Sequence, residues 1–426
     1  MTLEQGVIPE ENRPGSGPWW QEAVFYQILV DRFCRFGADE PLRNPSLPVF
    51  CGGNLRGVMD RLDYLRRLGI TALWLSPIQR TASYHGYHIT DFQRVEKRFG
   101  GMASFRALLR AAKPDLRIVL DWVPNHLHST HPFFQEALQS KRSRYREWFY
   151  FDRHGDHLSF LDVPELPKLN LDHPEARRYM IDCAKNWLDL GVDGFRLDHV
   201  LGPSMDFWHA FKAGIKQHKP AAYLVGEALF LGIQRRDLKT LRMPGKLQCY
   251  EASIRGHSVA DQVQLEYAGV FDGLLDFGFQ EILKAQVARA RHRPSSAQVQ
   301  ARLDGHYRQF PASLSLPSFL DNHDLNRFLF EAKGDRTRLM QAAEIQFQQV
   351  QTPIIYYGTE AGMTQDRAVD GQNGDLPARQ WMAWTHQDPE LLGFYTGLIR
   401  ARKRRGSPLA EGGAQVLPDG KSENRR

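Results

Sequence analysis

Eight short runs of β-branched and aromatic residues recur along this chain, and the segments between them return an apolar residue every three or four positions. The runs are AVFYQILV (23–30), TALWLS (71–76), RIVLDWV (117–123), DGFRLD (193–198), AYLVGE (222–227), DGLLDF (272–277), LSLPSFL (314–320) and TPIIYYG (352–358). Strands that alternate with helices pair in parallel, because each helix carries the chain back to the same end of the sheet. In the segment 55–69, Val58, Leu62, Leu65 and Leu68 form one stripe for a sheet to bury, and 102–112, 176–191 and 338–350 read as helices too. The pattern predicts an α/β fold, a (β/α)8 TIM barrel built from residues 23–124 and 171–405.

Two stretches break the rhythm. Residues 125–170, rich in His, Phe and Tyr, read as a small subdomain inserted after the third strand, over the barrel mouth. Residues 231–269 read as a second insertion, between the fifth and sixth strands. Residues 1–22 are expected to form an N-terminal tail and 406–426 a C-terminal remnant.

Composition narrows the class. At 42% hydrophobic and 24% charged residues, the 426-residue chain has ample material for a core, which excludes a disordered protein. No stretch approaches the roughly 20 apolar residues of a membrane helix, and the first residues lack a basic-then-apolar secretion signal. The expectation is a cytoplasmic protein with no membrane partner. Cys34, Cys51, Cys183 and Cys249 are too scattered for a disulfide framework and are expected to be reduced. The net charge of +6 is spread along the chain, and its densest run, Arg400 to Arg405, closes a helical segment where cations are favourable. No nucleic-acid partner is expected.

In a parallel barrel, functional side chains project from the C-terminal ends of the strands. Strand ends here read DWVPNH (121–126), GFRLDHV (194–200), VGEALF (225–230) and FLDNHD (319–324). A single acid at a strand end can cap the next helix, but Asp198, Glu227 and Asp324 at three strand tips of one barrel point to a shared site. Two carboxyl groups facing one bond are what glycoside hydrolysis requires: one attacks the anomeric carbon and the other protonates the leaving oxygen. Glu227 follows an apolar run, an environment that favours its protonated form. Arg196 lies two residues before Asp198, on the same side of an extended strand, and is expected to hold it ionised. His126 and His323 offer hydrogen bonds to sugar hydroxyls, and Tyr84 and Tyr87 offer flat faces for a pyranose.

These motifs, together with 53–78, YHGYHITDF (84–92), LPKLN (166–170) and YYGTEAGM (356–363), resemble the α-amylase family of retaining α-glucan hydrolases and transglycosylases over residues 24 to 405. The resemblance implies Asp198 as nucleophile, Glu227 as acid/base and Asp324 as stabiliser of the transition state. It places Tyr87, His126, Arg196 and His323 around the sugar next to the scissile bond, with Asp121 supporting them from behind. It also implies a possible calcium ligand at Asn125, although the chemistry itself requires no cofactor. LPKLN is similar to the form found in neopullulanases, cyclomaltodextrinases and maltogenic amylases, which implies a maltooligosaccharide or related short α-glucan as substrate. Three departures from the family pattern are expected: no additional N-terminal domain before the first strand, no Lys-His pair in HVLGPS after Asp198, and a C-terminal β-sandwich that is absent or truncated. A transglycosylase or a non-catalytic carbohydrate-binding protein on the same scaffold are the alternatives. The histidines of HLHSTH (126–131) have no acidic partner for a metal site, and neither a phosphate loop nor a GxSxG elbow occurs.

Overall fold

A computed structural model describes residues 17–229, 259–370 and 374–405. Expectations for residues 1–16, for 230–258 (Cys249 included) and for 406–426 lie outside the described residues. Among the described residues there are ten strands: β1 Phe25–Ile28, β2 Ala72–Leu75, β3 Gln79–Thr81, β4 Ile89–Val95, β5 Arg117–Trp122, β6 Gly194–Leu197, β7 Tyr223–Gly226, β8 Gly273–Leu274, β9 Ser318–Phe319 and β10 Pro353–Tyr356. Eight of them form one sheet in the order β8-β7-β6-β5-β2-β1-β10-β9, with every pair parallel. The ends of this sheet meet. Leu274 N–H donates to Ser315 O and Asp276 N–H to Pro317 O, both at 3.0 Å, so β8 runs beside the approach to β9.

All eight predicted runs carry a barrel strand, each shorter than its run. The alternation within them sets the two faces. Phe25, Ala72, Trp74, Val119, Val225, Phe319 and Ile354 pack inside the barrel, where Trp20 and Ala23 join them. Their neighbours Tyr26, Leu73, Leu75, Ile118, Leu120, Phe195 and Leu224 face the helices. Both faces of each strand are therefore buried, which is why these runs are continuously apolar.

The helical segment 55–69 is interrupted. Arg61, at φ −106° and ψ 5°, separates Leu55–Asp60 from Leu62–Leu68, yet Val58, Leu62, Leu65 and Leu68 stay buried as one stripe. Asn54 caps the first part by accepting from Gly57 N–H at 3.0 Å, and Gly69, at φ 99°, closes the second in the left-handed region that favours glycine.

The antiparallel hairpin β3–β4 has no counterpart among the predicted strands. Its outer strand carries Asp91, Gln93 and Arg94, so the sequence there reads as polar loop. Residues 125–170 contain the helix Pro132–Gln139, the short 3-10 turns Arg146–Trp148 and Phe160–Asp162, and isolated bridges, among them His126 with Lys168 and Phe149 with Leu169. No described helix is long and apolar enough to cross a membrane.

Candidate active site

Parallel register stacks the site in layers. Asp121 on β5 pairs with Arg196 on β6, and Arg196 with Val225 on β7, so these three side chains share one level inside the barrel. Two residues further along each strand the side chain again points inward, one level nearer the mouth. There stand Asp198 and Glu227. Each continues the ladder, with Asp198 N–H donating to Trp122 O and Glu227 N–H to Leu197 O, both at 2.9 Å.

Arg196 is the hub. Its Nη1 donates to Asp121 at 2.8 Å and to Asp198 at 2.7 Å, and its Nη2 pairs with Glu227. Glu227 accepts a further bond on Oε2 from His199 N–H at 3.0 Å. Tyr87 reaches in from the loop of the β3–β4 hairpin and donates to Asp121 at 2.7 Å. Trp74 Nε1–H adds a third bond to Asp121, at 3.2 Å. Gln27 donates to His323 Nδ1 at 2.7 Å, so the ring proton sits on Nε2, 2.6 Å from the Tyr87 oxygen. The Tyr87 and His323 rings also lie parallel, with centroids 5.3 Å apart.

A second guanidinium serves the third acid. Arg379 donates from Nη2 to Asp324 at 2.7 Å and to Asp375 at 2.9 Å, and from Nε to His323 O at 2.8 Å. The three acids, with Tyr87, His126, His199, His323 and Arg379, line a cavity of about 380 Å³. His126 forms part of its wall, stacked 4.5 Å from the Phe160 ring. A second cavity, about 340 Å³, is lined by Trp19, Arg117 and Lys403, among others, and includes no histidine and none of the strand-tip acids.

Burial dominates the electrostatics. It raises Glu227 to about 7, against the pull of Arg196 and with repulsion from Asp324. Burial also pushes Asp198 well above the carboxylate range, opposed by Arg196 and assisted by Glu227 and Asp121. The expectation that Arg196 holds Asp198 ionised is corrected accordingly, because one guanidinium is shared among three carboxyl groups. Asp121 is raised by burial as well, with Arg196 opposing. Asp324 differs: burial would raise it, but His323, Arg379 and Arg196 outweigh that and leave it low. Burial lowers His126 and His323 to about 3, so both rings are neutral near pH 7.

The structure thus brings together Asp198, Glu227, Asp324, Tyr87, His126, Arg196, His323 and Asp121. Tyr84 does not join them as a sugar platform, since it is buried with the Arg32 guanidinium 4.2 Å over its ring. Asn125 is buried and does not line the cavity. Its Oδ1 is buried without a hydrogen-bond partner, an acceptor of the kind calcium takes, but its surroundings do not suit that ion. The buried ammonium of Lys168 bonds to Gly202 O at 2.7 Å beside it, and among the described residues no three His, Cys, Asp or Glu side chains converge on one point. Sequence reasoning missed Arg379, Asp375, Phe160, His199, Trp74 and Gln27. Gln27 carried a usable signal, a polar residue inside an apolar strand, while Arg379 lies in a stretch without periodicity.

Comparison with known proteins follows the same lines. The family described as "Alpha amylase, catalytic domain" matches residues 27–159, 151–232 and 254–399. Alpha-amylase 2 of Dictyoglomus thermophilum is 35% identical over 391 residues, covering 90% of this chain and 64% of that protein. The intracellular maltogenic amylase of Bacillus subtilis is 29% identical over 413 residues, covering 92% and 64%. The chain therefore spans just under two thirds of these relatives. Among solved structures, the cyclic alpha-maltosyl-(1→6)-maltose hydrolase from Arthrobacter globiformis superposes with a TM-score of 0.75 at 26% identity, covering 93% of this chain and 85% of that one.

Proposed function

The chain belongs to the alpha-amylase catalytic-domain family, and we propose that it is a glycosidase that cleaves α-glucosidic bonds of maltooligosaccharides, mainly α-1,4, with retention of configuration. One observation carries the mechanism: Asp198 and Glu227 are bonded to the two terminal nitrogens of a single guanidinium. One guanidinium thus holds both acids at the same end of the cavity, an arrangement that supports double displacement, in which the two carboxyl groups stand close together.

In the first step an Asp198 oxygen forms a bond to the anomeric carbon as the glycosidic C–O bond breaks, and Glu227 gives its proton to the departing oxygen. Positive charge on the ring is offset by Asp324, which Arg379 and His323 hold ionised. In the second step the Glu227 carboxylate takes a proton from water while the water oxygen displaces Asp198. A Glu227 pKa of about 7 suits both halves, since the group must be acid first and base afterwards. Asp198 must be unprotonated to attack, so the working state places the shared proton on Glu227. The chemistry needs no cofactor. The name of the Bacillus subtilis relative supports action inside the cell.

Proton NMR of maltotriose digestion tests this reading. The expected first product is the α-anomer, with release slowed at least ~10³-fold in Asp198→Ala and Glu227→Gln. A β-anomer appearing first, or either variant working at the parent rate, contradicts it.

A further inference from the structure

Gln27 is an amide in the strand β1, whose residues Phe25–Ile28 are all buried. Two residues on from Phe25, it points into the barrel and is 4% exposed. Its Nε2 lies 2.7 Å from His323 Nδ1, a contact between residues 296 positions apart. Its Oε1 is buried without a hydrogen-bond partner. An unpaired acceptor in the core costs stability, so what this position uses is the donor end of the amide.

The direction of the bonds beyond it is forced from the far end. Arg196 Nη1 and Trp74 Nε1 can only donate, and they bond Asp121 at 2.8 and 3.2 Å, so Asp121 is an acceptor. The Tyr87 hydroxyl lies 2.7 Å from Asp121 Oδ2 and 2.6 Å from His323 Nε2, and it has one hydrogen to give. Given to Asp121, that hydrogen leaves the Tyr87 oxygen to accept from His323 Nε2–H. Given to His323, it would leave two oxygens facing each other at 2.7 Å with no proton between them. Burial lowers His323 to about 3, so near pH 7 the ring carries a single proton, and a proton on Nε2 leaves Nδ1 in need of a donor. The same Nε2–H stands 3.1 Å from Asp324 Oδ2. The other tautomer would turn a lone pair toward that carboxylate.

We propose that Gln27 sets the direction of this chain: its amide holds His323 as the Nε2–H tautomer, which makes Tyr87 a donor to Asp121 and presents a proton, in place of a lone pair, to Asp324. Gln27 does not line the cavity and acts only through the imidazole, so it is a positioning residue. The tautomer follows from the geometry alone, whereas its effect on turnover rests on the catalytic reading above.

Nitrogen-15 NMR of the full chain with labelled histidine tests the tautomer without reference to activity, the His323 signals being those that vanish in His323→Asn. The parent is expected to show a bare Nδ1 and a protonated Nε2. A proton on Nδ1 in the parent would overturn the proposal. Gln27→Met keeps an unbranched side chain but has no donor, so a second form of the ring, protonated on Nδ1, is expected to appear; a spectrum that still shows the Nε2–H form alone means that Gln27 does not set the tautomer. If Gln27→Met does not fold, Gln27→Leu takes its place with the same expectation, and the parent spectrum stands by itself. In kinetics on maltotriose, Gln27→Met is expected to lower kcat about 10–100-fold with KM within about twofold, because support for Asp324 matters most as charge develops on the sugar ring. A changed tautomer with an unchanged kcat would overturn the effect on turnover. A parent chain that leaves maltotriose intact would instead overturn the catalytic reading, with the tautomer result unaffected.

Discussion

Arg379 Nη2 lies 2.7 Å from an Asp324 oxygen, so the acid at the tip of the seventh barrel strand is paired before any substrate arrives. That pairing reaches across 55 positions in sequence. Together with His323 it decides the charge of Asp324, since burial alone would raise its pKa.

Removing Arg379 has a directional consequence. In Arg379→Ala the pKa of Asp324 should rise, moving the acid limb of kcat/KM upward by about one pH unit and lowering the plateau roughly 10–100-fold. Native Asp324, with its depressed pKa, adds stability above its unfolded value that is lost as pH falls through the folded one. Arg379→Ala should therefore also reduce the sensitivity of Tm to pH below about 4, which melts across an acid series would measure.

Glu227 works in the opposite sense. Its pKa rises from 4.5 to about 7 on folding, so the stability tied to its proton is fully present below 4.5 and disappears as pH climbs through about 7. Glu227→Gln cannot ionise. Its stability relative to the parent should grow by roughly 1–3 kcal/mol between pH 5 and pH 8, read by urea titration at each pH. In the parent, kcat/KM should fall above about pH 7 as the acid is lost.

Arg196 is buried with three carboxyl groups around it. Arg196→Met leaves them without a counter-charge, which is expected to cost about 3–5 kcal/mol, measured by chemical denaturation at neutral pH. The loss should shrink in acid, where the carboxyl groups protonate. Equal losses at pH 4 and pH 7 would contradict the hub role.

Phe160 stacks on His126 and meets the His199 ring edge-on at 4.7 Å. Phe160→Ala widens the cavity wall without touching the acids. KM for maltotriose should rise about 3–10-fold with kcat nearly unchanged, as steady-state kinetics would show. A collapse of kcat with KM constant would mean that Phe160 acts on the chemistry instead.

Much of the candidate site was legible in the chain because parallel strands impose period-two geometry. Arg196 and Asp198 differ by two positions and so share the barrel interior, and the register aligns Val225, two before Glu227, with Arg196. The eight strands were visible for the same reason, since burial on both faces demands continuous apolar runs. The hairpin β3–β4 was hidden because one of its strands faces water with Asp91, Gln93 and Arg94, and a polar strand has no hydrophobic signature.

Local sequence determined which residues stand at the strand tips and which way they point, because backbone geometry within a strand follows from its own pattern. Only the tertiary structure decided how charge is shared among them. Arg196 divided over three acids, Arg379 delivered to Asp324 from a distant loop, Tyr84 buried under Arg32 and Lys168 seated against Gly202 all depend on contacts between segments far apart in the chain. Such contacts form through space, in a low-dielectric interior where a difference of a few ångströms sets the sign of a pKa shift, and no spacing along the chain encodes that distance.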